Sequence, residues 1–144
     1  MADSTRETKV ADVAYVTGLV LMIPVADIER SVEFYRLLDF EVGNRVPPTG
    51  PMAWAWLYSP QAADWKRGPN LMLTRNKHPI AIQSPAVLFY HYVTDLVALR
   101  EKLLANGLSA GEICYPEYLP KGEFRVLDPD GYTLMLAQSA GDTP

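Results

Sequence analysis

The sequence predicts an α+β protein built from two successive βαβββ modules, and three observations carry that reading. A strand-to-helix junction occurs twice, as Val25-Ala26-Asp27-Ile28 and, 68 positions later, as Val93-Thr94-Asp95-Leu96. An apolar, β-prone run precedes each junction, Gly18 to Val25 in one case and Ala86 to Val93 in the other. A Leu-Met-Leu triplet follows each, at residues 71–73 and 134–136. The expected boundaries are a lead-in over 1–17, a first module over 18–75, a linker over 76–85, a second module over 86–138 and a tail over 139–144. Sites often form where such units meet, so the residues that face inward become the question.

Residues 1–12 are polar, and Val13 to Val16 reads as an edge strand or a turn. Leu19 to Ile23 is apolar without a break, as a strand buried on both faces would be. Pro24 cannot donate to a ladder and belongs at that strand's end or at an unpaired position. Asp27 is an N-cap whose carboxylate accepts from the free amides of the first helical turn. From Ile28 the spacing places Val32, Tyr35 and Leu38, with Phe34 beside them, on an inner stripe. That helix is expected to end near Asp39, with Phe40-Glu41-Val42 extended before Gly43. Pro47-Pro48-Thr49-Gly50-Pro51 is a loop by composition. Trp54, Trp56 and Tyr58 then alternate with Ala55 and Leu57, and a polar stretch over 59–69 leads to a strand at Asn70–Arg75.

The second half repeats the order. A strand over 86–93 leads to a helix over 96–106, closed by Gly107 at C′, and extended segments follow. Asp128-Pro129-Asp130-Gly131 is a type I turn signal joining 122–127 to 132–138 as a hairpin. On pattern alone the second half fits βαβββ better, because the longer 59–69 loop interrupts the middle strands of the first.

With 49% hydrophobic and 21% charged residues, the 144-residue chain is long enough for one well-filled core. A net charge of −4 argues against a nucleic-acid surface, since no basic stripe is present to neutralise phosphates. No stretch approaches the roughly 18 apolar residues of a membrane span. The polar, charged N-terminus has no signal-peptide core behind it, and the single cysteine, Cys114, fits a reducing cytoplasm. The expectation is a cytoplasmic protein with no nucleic-acid or membrane partner.

Asp27-Ile28-Glu29-Arg30-Ser31-Val32-Glu33-Phe34-Tyr35, with Leu38-Asp39-Phe40 after it, resembles the helix signature of the vicinal oxygen chelate superfamily. That superfamily includes glyoxalase I, extradiol dioxygenases, fosfomycin-resistance enzymes and bleomycin-resistance proteins. Phe124-Arg125-Val126-Leu127-Asp128-Pro129-Asp130-Gly131-Tyr132 resembles its final hairpin, so the likeness spans roughly residues 18–138. The resemblance implies paired modules forming a cupped mixed sheet, assembled as a homodimer with sites in the cups. It also locates the family's metal-ligand positions, at Val20 and Leu88, each seven residues before a helix cap, and at Met72 and Met135. Aliphatic carbon does not ligate, and thioether is a poor ligand for Zn²⁺, Ni²⁺, Mn²⁺ or Fe²⁺. No metal and no cofactor is therefore expected, as in the bleomycin-resistance branch.

Alternation predicts what lines the cup instead. Val20, Met22, Trp54, Trp56 and Met72 come from the first module; Leu88, Tyr90, Tyr92, Glu123, Arg125, Thr133 and Met135 come from the second. Tyr115, Glu117 and Tyr118 lie on a lid-like loop over 115–122. Aromatic faces with flexible methionines suit a flat small-molecule ligand. The same tryptophans and tyrosines also fit a filled core or a dimer interface, and Glu123 and Arg125 also fit a plain ion pair. His91 falls on the helix-facing side as a core histidine, His78 lies in the linker, and Cys114 is expected to be inert. The leading expectation is a protein that sequesters an aromatic or drug-like ligand. The alternative is a lyase, isomerase or dioxygenase-type enzyme with a displaced metal site or with Glu123 as acid or base. A third reading, a dimerising scaffold, requires the aromatics to be core.

Overall fold

An aspartate begins each helix, as the repeat demands. The computed structural model describes residues 13–76 and 87–139; residues 1–12, His78 and the tail beyond 139 lie outside them. Helix α1 spans Ile28–Arg36 and helix α2 spans Leu96–Ala105. Asp27 accepts from the Arg30 amide at 3.2 Å and Asp95 from the Ala98 amide at 3.1 Å, each satisfying an otherwise free donor of the first turn. Left-handed residues then stop both helices, Asp39 at φ 68° and Gly107 at φ 81°.

The first module forms a four-stranded sheet from β1 (Leu21–Val25), β2 (Glu41–Val46), β3 (Trp54–Tyr58) and β4 (Asn70–Arg75), in the order β1-β4-β3-β2. The second forms a three-stranded sheet from β5 (Phe89–Val93), β6 (Glu123–Leu127) and β7 (Thr133–Gln138), in the order β5-β7-β6. In both, the first strand runs parallel to the one carrying Leu-Met-Leu, with Met22 opposite Met72 and Tyr90 opposite Met135. The repeat in the text is thus a repeat in space.

Each sheet buries one face under its helix. Ile23, Val25, Ala55, Leu57, Leu71 and Leu73 meet Ile28, Val32, Phe34 and Tyr35 in the first module; Phe124, Val126, Leu134 and Leu136 meet Leu96 and Leu103 in the second. These residues form one continuous core, and each large side chain withdrawn from water stabilises it by about 1.5–3 kcal/mol. The Asp128–Gly131 turn clasps the two modules together. Its closing bond runs from the Gly131 amide to the Asp128 carbonyl at 3.0 Å. The buried Asp128 carboxylate accepts from the Tyr35 hydroxyl at 2.8 Å and from the Asp130 and Tyr132 amides at 2.9 Å. Asp130 accepts from the Ala26 amide and the Ser31 hydroxyl, and Tyr132 donates to the Pro24 carbonyl. Burial pushes the Asp128 carboxyl up, against the pull of its donors, and raises the Tyr35 phenol well above its ordinary value.

The structure corrects several expectations. Strand β1 starts at Leu21 and is an edge strand, with Leu21 and Met22 exposed rather than buried on both faces; the free edge is what accommodates Pro24 inside it. Val13 to Val16 is exposed and forms no strand. Strand β2 runs through Gly43 by means of an irregularity between Val42 and Asn44. The 59–69 loop interrupts nothing: it joins β3 to β4 and contains a short 3₁₀ turn at Trp65–Arg67. The second module, not the first, is the less complete, because the 108–121 stretch contributes no strand, only a bridge between Cys114 and Glu123 and a bond from the Gly111 amide to the Arg125 carbonyl. Pro116 and Pro120 lack the donors a continuous ladder would need.

Candidate functional site

Strand register places the expected cup residues on the faces opposite the helices. Across the first sheet, Met22, Met72, Trp56 and Asn44 form one row. Across the second, Tyr90, Met135 and Arg125 form a row, beside Tyr92, Ala137 and Glu123. Val20 and Leu88 lie just ahead of β1 and β5 rather than within them.

The first module's face is an aromatic cluster. Trp56 stacks on Tyr58 with centroids 5.4 Å apart, meets Trp65 edge-on at 6.0 Å, and donates through Nε1 to Asn70 at 3.2 Å. Gly43 is the floor beneath it: a Cβ there would come within 2.4 Å of the Trp56 ring. Lys66 holds its ammonium 5.7 Å from the Trp65 ring. Trp54 and Met72, both half-buried, complete the face. Sequence reasoning missed Trp65, although a tryptophan in a polar loop was the available signal.

The second module's face is organised by a carboxylate. The Tyr90 side chain starts on β5 and reaches Glu123 on β6, so it crosses β7, where the small Ala137 leaves room. Its hydroxyl donates to Glu123 Oε1 at 2.9 Å, and Tyr118 from the lid loop donates to Oε2 at 3.1 Å. Glu123 is 7% exposed, Met135 is buried and Tyr92 stacks near Tyr90 at 6.2 Å. Hydrogen bonding with Tyr118, partial burial and the Glu123 carboxylate together raise the Tyr90 phenol above its ordinary pKa, so it stays protonated and donating. The Glu123–Arg125 ion pair weighed from sequence does not form. Arg125 is exposed on the same face with no ion pair among the described residues. Tyr115 is exposed and lies against Gly122 at the base of the lid loop.

The structure therefore brings Tyr90, Tyr92, Tyr118, Glu123 and Met135 together, and separately Trp54, Trp56 and Met72. Among the described residues no hydrogen bond or ring contact joins the two clusters. His91 stands where alternation put it, with its ring edge-on to Phe40 at 6.1 Å and its pKa lowered by burial. A cavity of about 510 Å³ opens between β5 and the β1–β4 end, lined by Leu21, Leu38, Phe40, Leu71, Phe89 and His91 among others. Its walls come from both modules and, with Leu88, Tyr90 and Tyr92 among them, from both faces of β5, a juxtaposition that no local pattern in the sequence announces.

A divalent metal finds no fit at the four family positions. Val20 and Leu88 offer only carbon, Met72 and Met135 only thioether. Among the described residues no three His, Cys, Asp or Glu side chains converge.

The family model described as the glyoxalase/bleomycin resistance protein/dioxygenase superfamily matches residues 17–136. No curated protein matches the chain. Among solved structures, an integron cassette protein from the mobile metagenome of the Halifax Harbour sewage outfall is 22% identical, with a TM-score of 0.66 over 86% of this chain and 100% of its own. A bleomycin-binding protein solved with bleomycin is 17% identical, with a TM-score of 0.62 over 86% and 99%. An antibiotic-binding protein from Streptomyces sp. CB03234 is 17% identical, with a TM-score of 0.62 over 89% and 98%. At such identities the likeness speaks for the fold.

Proposed function

We propose that this chain, which belongs to the glyoxalase/bleomycin resistance protein/dioxygenase superfamily, is a small-molecule binding protein that holds an aromatic or drug-like ligand without a metal. The observation that carries the reading is a substitution of chemistry at one place. The positions that hold metal elsewhere in the superfamily are Val20, Met72, Leu88 and Met135, and the faces around them carry Trp54, Trp56, Tyr90 and Tyr92. Those aromatics remain at least partly open, and their faces are suited to stacking. Glu123 accepts from two tyrosine hydroxyls, so an enzymatic alternative would have to rest on Glu123 with those phenols as its proton relay. Neighbouring folds that bind bleomycin and another antibiotic support the same class of function.

A homodimer completes this reading. Among the described residues the outer edges of β1 and β5 are unpaired, and Leu21, Met22, Val87 and Leu88 stand exposed along them. A second copy brought against these faces would turn two open surfaces into walled cups. No helix among the described residues is long and apolar enough to cross a membrane, and the single free cysteine suits a cytoplasmic setting.

Tryptophan fluorescence tests the proposal, with aromatic antibiotics titrated into metal-analysed protein. Saturable quenching that weakens in Trp54→Ala and Tyr90→Ala is the expected result. Full affinity in both variants would remove the cup assignment. Stoichiometric metal in the purified protein would overturn the metal-free reading.

A further inference from the structure

We infer that Glu123 is the specificity-determining group of the second-module cup, accepting an ammonium or amidinium group of the ligand in exchange for the Tyr118 hydroxyl. The inference rests on the binding function proposed above and names the ligand class.

Glu123 is 7% exposed, yet among the described residues no cation stands against it: no salt bridge reaches it, and Arg125 on the same face does not pair with it. Buried charges are ordinarily paired with an opposite charge. Here two phenols supply hydrogen bonds but no charge, one to each oxygen. Each carboxylate oxygen has a second acceptor direction, so capacity for a further donor remains.

The two phenols are not equivalent. Tyr90 stands on a paired strand, with its ring held beside Tyr92. Tyr118 sits on the lid loop and is 69% exposed although its hydroxyl reaches the buried acid. The loop's base is pinned by reciprocal backbone bonds between Cys114 and Glu123, at 2.8 and 2.9 Å. Within the tip, Leu119 and Gly122 bond back to Pro116 and Leu119, and only Tyr118 reaches the acid. Tyr118 is therefore the donor a ligand is able to replace without disturbing a strand. An incoming cation gains the charge-assisted bond and the Tyr90–Tyr92 faces beside it.

Three probes sharing one ring system test this: 1-naphthylmethylamine, protonated at pH 7, 1-naphthylmethanol and 1-naphthoic acid, each titrated by calorimetry into the intact protein. The amine is expected to bind about tenfold more tightly than the alcohol, in line with a charge-assisted rather than a neutral hydrogen bond. Glu123→Gln should bring the amine down to the alcohol's affinity. Tyr118→Phe, a change at an exposed residue that needs no refolding of the core, should tighten amine binding several-fold by removing the competing donor. Equal affinity for amine and alcohol, or no gain in Tyr118→Phe, overturns the inference and leaves the binding function standing. Tightest binding of the naphthoate, lost in Arg125→Ala, overturns it in favour of an anionic ligand. If none of the three probes binds, the binding function itself falls, and this inference with it.

Discussion

The two modules share a register but not a surface. Trp54 and Trp56 on β3 occupy the places that Glu123 and Arg125 occupy on β6, since Trp56 faces Met72 as Arg125 faces Met135. Likewise Ile23 faces Leu73 where His91 faces Leu136, and Met22 stands where Tyr90 stands. One scaffold thus presents an aromatic face in one half and a charged, lid-covered face in the other. The loops diverge as well. The first module places its long connection between β3 and β4, whereas the second places it before the hairpin, where it replaces a strand. The helix-facing core tolerates little change because it is close-packed, while the opposite faces vary freely.

The sharpest way to break this comparison is through the shared core. Leu73→Ala and Leu136→Ala remove fully buried side chains from equivalent positions, and each should cost about 2–5 kcal/mol in urea unfolding. A cost below 1 kcal/mol in only one of them would show that the modules are not structurally equivalent.

Glycine separates the two loop designs next. Gly122 has φ 107°, and an added Cβ would meet Ile113 at 2.9 Å, so Gly122→Ala should cost about 1–2 kcal/mol and expose the 115–121 loop to protease. Gly43 has no such backbone constraint. Gly43→Ala instead pushes on the Trp56 ring and should shift the tryptophan emission, with the lid loop as protease-resistant as before. Reversed outcomes would mean that the lid is not held by its base.

Titration distinguishes the equivalent residues Ile23 and His91. Burial lowers the His91 pKa below its ordinary 6.5, so below that pH the unfolded chain takes up a proton that the folded chain resists. Stability should be full above pH 6.5 and fall as the pH drops below it. Comparing urea midpoints at pH 7.5 and 5.5, His91→Ile should reduce that loss by making the second module resemble the first. An unchanged loss would place the sensitivity elsewhere.

The smallest expected effect on stability belongs to Arg125→Ala, within about 0.5 kcal/mol, because the side chain is exposed and makes no ion pair among the described residues. A larger loss in thermal unfolding would reveal a structural role that the fold does not show.

Much of the fold was legible in local chemistry. Asp27 and Asp95 marked both helix starts, Gly107 marked one end, and the Asp128–Gly131 turn marked the final hairpin, because capping and turn geometry depend on a few neighbouring residues. Alternation likewise put Glu123, Arg125 and Met135 on one face and His91 on the other. The pairing within the site was not legible. From sequence Glu123 had Arg125 two residues away as its natural partner, yet Tyr90, 33 residues distant, and Tyr118 took that place. Trp65 was overlooked because its contact with Trp56 depends on how the 59–69 loop folds back.

The sequence by itself determined which residues begin, end and turn the elements, and which face of each strand they take. Those choices follow from capping, dihedral preference and a period of two, all set within a few residues. The tertiary structure alone decided that β1 lies at an edge, that Asp128 clasps the modules through Tyr35, and that Glu123 is covered by tyrosines rather than an arginine. Each of those outcomes depends on which distant segments share space once both cores are packed, a non-local competition for contact that no short window of residues contains.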